Sequence, residues 1–115
     1  MQNPHTRRYP RYEINALVDY TGSEVLLSHK VQNISLGGLC LQTPTLEEVG
    51  TIVDLVVHFP DLAGAMLAAK GEVVWANHEP PMDMGIRWLD LTDETRSLLR
   101  QYIARVAAHK SPSRT

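Results

Sequence analysis

The sequence predicts a mostly β domain: a small antiparallel barrel closed or plugged by one C-terminal helix. Three observations predict it. Between Tyr12 and Leu89 the chain is a series of short segments rich in apolar residues, separated by Gly, Pro, Ser and Asp. Beyond Leu89 the apolar period changes to that of a helix. The whole chain has 115 residues, enough for one independently folding core without metal or disulfide staples.

The elements follow in order. Residues 1–6 are polar and read as a flexible N-terminal arm, and residues 7–110 as a single domain. Tyr12, Ile14, Ala16 and Val18 alternate with Glu13, Asn15 and Leu17, the pattern of a first strand. Thr21-Gly22-Ser23 is a turn, and Val25 to Ile34 is a second strand at roughly period two. Gly37-Gly38 breaks it, and Leu39-Cys40-Leu41 restarts a short strand. Thr45 with Glu48 fits a capping box over one helical turn that Gly50 ends, with Glu47-Glu48 as a solvated face. Thr51 to Phe59 is β-rich and reads as a strand. Leu67 to Trp75 reads as another, bulged at Gly71. Pro80-Pro81 marks a loop, and Met84 to Leu89 is the last strand. Leu98, Leu99, Tyr102, Ile103 and Val106 then recur at helical spacing, predicting a helix over about 93–109. Thr92 or Asp93 caps it, with Asp93 and Glu94 suited to its positive end. Residues 111–115 read as a disordered tail.

Composition narrows the function. Formal net charge is −2, yet Arg7, Arg8 and Arg11 are clustered. A local basic cluster on a mildly acidic body suits a small anionic ligand better than DNA or RNA. The single cysteine, Cys40, sits in an apolar run and reads as a buried small hydrophobe in a reducing compartment. The five histidines have no metal-ligand spacing, so no metal or cofactor is expected. No nucleophile motif or phosphate loop is present, which argues against an enzyme. The arginine-rich start lacks an apolar core for a signal peptide, and no stretch reaches transmembrane length. The expectation is a cytoplasmic protein with no membrane insertion.

Two motifs carry chemistry. Arg7-Arg8-Tyr9-Pro10-Arg11 contains R-x-x-x-R, and Asn33-Ile34-Ser35-Leu36-Gly37-Gly38 contains N-x-S-x-x-G. Arginine's planar fork donates two hydrogen bonds to guanine O6 and N7, pairs with phosphate and stacks on aromatic faces. Pro10 favours an extended arm, in which Arg7 and Arg11 share a parity and Arg8 has the other. Asn33 and Ser35, two apart at a strand end, can point to one face and offer amide and hydroxyl groups. Gly37 and Gly38 permit positive φ and close backbone approach.

In this order and spacing the motifs resemble those of the PilZ domain, a bacterial receptor for cyclic di-GMP. The resemblance runs roughly from Thr6 to Leu91. Gly71-Glu72-Val73-Val74-Trp75 is similar to the family's late strand, and Met84-Gly85-Ile86-Arg87-Trp88-Leu89 to its closing strand. It implies a six-stranded PilZ-like β-barrel followed by a helix, with cyclic di-GMP as the ligand. Arg7 and Arg11 would bind guanine and phosphate, assisted by Arg8. Asn33, Ser35 and Gly38 would line the barrel side of the site, joined by Gly37. Asn33 stands where many members carry Asp. Some members set a late-strand tryptophan against the ligand, which adds Trp75; core or barrel-rim burial is the commoner fate of Trp75 and Trp88.

The function expected from these features is a stand-alone cyclic di-GMP receptor. Ligand binding would reorder its N-terminal arm and signal to an unidentified protein partner. The alternative is a PilZ-like interaction adaptor, of the pilus or motility type, that binds no nucleotide. A small barrel for single-stranded nucleic acid ranks last, because the chain has one phenylalanine and a negative net charge.

Overall fold

The computed structural model describes residues 9–110. The expected arm over 1–6 and tail over 111–115 lie outside the described residues. Seven strands and one helix follow in order: β1 (Leu17–Thr21), β2 (Val25–Lys30), β3 (Asn33–Ile34), β4 (Gly38–Gln42), β5 (Ile52–His58), β6 (Met66–Asn77), β7 (Asp83–Leu89) and α1 (Asp93–Lys110). All ladders are antiparallel, in the order β2-β1-β5-β6-β7-β4-β3.

The two ends of that order are neighbours in sequence, and this curls the sheet into a barrel. The predicted strand over 25–34 is interrupted after Lys30. The Val31 amide donates to the Ala16 carbonyl and the Gln32 amide to the Cys40 carbonyl, each at 2.9 Å. Consecutive residues thus bond to opposite ends of the ladder, so β2 and β3 are linked covalently rather than by a closing ladder. Counted as one interrupted strand, they reduce the seven strands to the six that the resemblance implies.

The first predicted strand has the right parity but joins the ladder late. Ile14, Ala16, Val18 and Tyr20 are all buried, while strand pairing begins at Leu17. Upstream, Tyr12 makes an isolated bridge to Ile34, exchanging hydrogen bonds of 2.9 and 3.0 Å. The inner face of the barrel is built from alternate residues of every long strand, including Leu39, Leu41, Val53, Leu55, Val57, Val73, Met84 and Ile86.

Helix α1 covers this core. The Thr92 hydroxyl accepts the Thr95 amide at 3.0 Å, which makes Thr92 the cap. Leu99, Ile103 and Val106 are buried, and the Tyr102 ring meets Phe59 at 5.2 Å between centroids. Leu98, expected in the apolar stripe, is 40% exposed at its margin.

Three local expectations are corrected. No helical turn forms at 45–48; the segment is irregular, and Glu47 is buried rather than solvated. Its carboxylate accepts from the Tyr20 hydroxyl at 2.7 Å, the Ser23 amide at 2.6 Å and the Ser23 hydroxyl at 3.0 Å. Bonds to the β1–β2 turn outcompete the local capping box. The bulge in β6 lies between Val73 and Trp75, not at Gly71, which pairs regularly with Val53 and Trp88. A second irregularity lies in β2, where Ser28 has φ of 52° and its amide donates to Asp19 Oδ1 at 2.9 Å. A twisted edge strand of this kind resists pairing with another chain.

Candidate functional site

Directly paired residues in an antiparallel ladder point to the same face. Ile34, Leu39, Ile86 and Val73 form one lateral row across β3, β4, β7 and β6, all at most 2% exposed in the core. The next row, Asn33, Cys40, Gly85 and Trp75, therefore faces outward. Cys40 is buried as expected, but on this outer side; its thiol donates to Gln32 Oε1 at 3.3 Å.

The bulge is what puts Trp75 in that row. Val73 pairs with Ile86, so in an unbroken register Val74 would face Gly85 and Trp75 would face Met84. Met84 is fully buried, so that register would drive the indole into the core. The extra residue at Val74 shifts the pairing by one and turns Trp75 to the outer wall. Gly85 completes the arrangement. A Cβ there would collide with Nε1, Cε2 and Cδ1 of Trp75, so the indole rests against bare backbone. The sequence names both residues but carries no local signal for the bulge.

The two motifs meet at the other end of the row. Arg11 Nη1 donates to Asn33 Oδ1 at 2.8 Å. The Tyr12–Ile34 bridge, one residue further along each segment, fixes the register of this contact. Asn33 and Trp75 are three strand spacings apart, about 14 Å. Arg11, Asn33 and Trp75 thus frame one stretch of outer wall whose floor is Cys40 and Gly85.

The remaining motif residues have structural duties. Ser35 lies just beyond the end of β3 and is 4% exposed. Its Oγ accepts the Gly37 amide at 3.0 Å and the Gly38 amide at 3.3 Å, and its own amide donates to the Gly38 carbonyl at 2.8 Å. Trp88 Nε1 donates to the Ser35 carbonyl at 3.0 Å. Ser35 therefore shapes the turn that carries Asn33 into β4. Gly37 and Gly38 are not among the positive-φ residues; they serve close approach instead. A Cβ on Gly38 would meet the Ile86 carbonyl and lie 2.8 Å from Arg87 Cα, and one on Gly37 would lie 3.1 Å from the Tyr9 ring. Arg7 and Arg8 lie outside the described residues.

Residues 9–12 also share a cavity with the helix. Tyr9, Pro10 and Tyr12 line a cavity of about 130 Å³ with Leu36 and with Arg100 and Ile103 of α1. Arg96 Nη1 donates to the Leu36 carbonyl at 3.4 Å. A larger open groove of about 690 Å³, lined by Glu13, His29, Lys30 and Gln42 among others, contains none of the motif residues. Among the described residues no group of His, Cys, Asp and Glu is placed to hold a metal ion. No described helix is long and apolar enough to cross a membrane.

A model of the PilZ domain matches residues 5–105, nearly the whole chain. The chain belongs to the PilZ family. No curated protein sequence matches it. Solved structures agree on the fold. The inhibitor of motility MotI/DgrA of Bacillus subtilis is 19% identical, with a TM-score of 0.71 over 96% of this chain and 56% of that one. The chain thus spans little more than half the length of that protein. The PilZ domain of YcgR from Escherichia coli, solved with cyclic di-GMP, is 15% identical, with a TM-score of 0.69 over 91% of this chain and 94% of that one. The PilZ domain of CeSA from a cellulose-synthesizing bacterium is 15% identical, with a TM-score of 0.61 over 89% and 99%. The PilZ barrel and helix anticipated from the motifs are the fold observed. PilZ domains are cyclic di-GMP-binding effector domains.

Proposed function

We propose that this chain is a cyclic di-GMP receptor without enzymatic activity. The observation that carries the reading is the Arg11–Asn33 contact, which joins the two PilZ motifs on the outer wall in line with Trp75. Arg7, Arg8 and Arg11 supply donors for phosphate and guanine, Asn33 adds an amide, and Trp75 offers a face for a base. Ser35, Gly37 and Gly38 hold the turn that presents Asn33. The structure of YcgR with cyclic di-GMP supports the ligand class.

The output follows from the arm's second contact. Tyr9, Pro10 and Tyr12 lie against α1 while Arg11 reaches the site, so a ligand that engages Arg11 rearranges a surface shared by arm and helix. That surface is where a protein partner would read the bound state.

Calorimetric titration with cyclic di-GMP tests the reading, with GTP and cyclic di-AMP as controls. Selective saturable heat is expected, lost in the double variant Arg7→Ala, Arg11→Ala. Absence of heat with an unshifted melting temperature would overturn it and favour the nucleotide-free adaptor.

A further inference from the structure

One charged pair on the same wall belongs to neither motif. Gly38, Arg87 and Glu72 are paired across β4, β7 and β6, in the outward row adjoining that of Cys40, Gly85 and Trp75. Arg87 lies two residues from Gly85, about 7 Å along the strand. It also faces the motif glycine directly, where a side chain would otherwise stand.

The pair has a defined geometry. Arg87 Nε and Nη2 both donate to Glu72 Oε1, at 2.9 and 2.6 Å. This uses one edge of the guanidinium. Among the described residues the other edge, Nη1 with the second hydrogen of Nη2, makes no hydrogen bond; it is the planar fork that reads O6 and N7 of guanine. The side chains are 54% and 28% exposed, so the less exposed carboxylate anchors a more exposed fork.

The chemistry separates two ligand groups. A phosphate would be drawn by Arg87 and repelled by Glu72. Guanine satisfies both: its O6 and N7 accept from arginine, while its N1–H and N2–H₂ need an acceptor such as a carboxylate. Adenine carries an N6 donor where guanine has O6, and has no N2 amine.

We infer that Glu72 and Arg87 form a guanine-reading pair on the barrel wall, which selects cyclic di-GMP over cyclic di-AMP. The inference rests on the proposed receptor function. Arg87 is the contacting residue, and Glu72 both orients it and accepts from the base.

Titration of wild type, Arg87→Lys and Glu72→Gln with cyclic di-GMP and cyclic di-AMP tests it, alongside thermal unfolding. Lysine keeps the charge but not the fork; glutamine keeps the shape but not the charge. Each variant should lose about tenfold in affinity for cyclic di-GMP, little for cyclic di-AMP, and nothing in melting temperature. If wild type binds cyclic di-GMP and both variants retain its affinity and selectivity, the pair is a surface ion pair and the inference is overturned alone. If wild type binds no cyclic di-GMP, the receptor reading and this inference fall together.

Discussion

The indole of Trp75 rests against the backbone of Gly85, on the wall that also carries Asn33. Trp75 would not be there without the extra residue at Val74, which moves it from the core face to the outer face.

Gly85→Ala should therefore act through Trp75. The new methyl group displaces the indole, shifts tryptophan fluorescence and weakens cyclic di-GMP binding by about tenfold, the value of a lost stacking contact. In a Trp75→Ala background the same change should have almost no further effect on binding. Full additivity in this double-mutant cycle would show that Gly85 acts elsewhere.

The Arg11–Asn33 contact predicts coupling between the motifs. Arg11→Ala and Asn33→Ala should each lower affinity by about ten- to a hundredfold, the range for charge-assisted hydrogen bonds. Their combination should cost less than the sum, since each leaves the other without its 2.8 Å partner. Calorimetry on the four proteins checks this, and strict additivity would separate the motifs.

Gly38→Ala should be a stability variant before it is a binding variant. Its Cβ would meet backbone atoms of Ile86 and Arg87, which have no rotamer to escape into. A loss of about 2–3 kcal/mol in urea unfolding is expected. Unchanged stability with lost binding would instead place Gly38 in ligand contact alone.

What the sequence showed of this arrangement is uneven, for physical reasons. Alternation in Tyr12, Ile14, Ala16 and Val18 tracks burial, fully for the last three and partly for Tyr12, so this part of the barrel's inner face was legible. The helix was legible because its period and its capping signals are local; of the two candidate caps, Thr92 and Asp93, the structure selects Thr92. That Arg11 and Asn33 belong to one site was implied by the family resemblance; their direct contact comes from the fold. Ser35 was legible as a motif member but not as the acceptor of two turn amides, since any hydroxyl at that spacing could face solvent. The bulge at Val74 has no Gly or Pro to mark it; only the demand to bury Val73 and Met84 while carrying Trp75 outward places it there. Glu72 and Arg87 stood in the sequence only as members of two separate strands; the register sets them side by side.

Glu47 misled the sequence reading most, and its chemistry makes a prediction about acid. Burial by itself would raise its pKa, but the hydrogen bonds from the Tyr20 hydroxyl and from the Ser23 amide and hydroxyl outweigh burial, and the net shift is downward from 4.5. The same contact, with burial as the larger cause, pushes the Tyr20 pKa upward, so Tyr20 stays a donor. As pH falls, the unfolded chain takes up the Glu47 proton before the folded chain does. The stabilisation is thus fully present above the unfolded pKa, near 4.5, and is lost as pH falls through the lower folded value. Glu47→Gln should cost about 1–3 kcal/mol at pH 7, since a charged acceptor of three hydrogen bonds becomes neutral. The gap between wild type and variant in urea unfolding should shrink as pH is lowered from 7 to below 4, because only wild type has the titrating carboxylate. A gap that stayed constant over that range would mean that Glu47 contributes by packing and not by its charge.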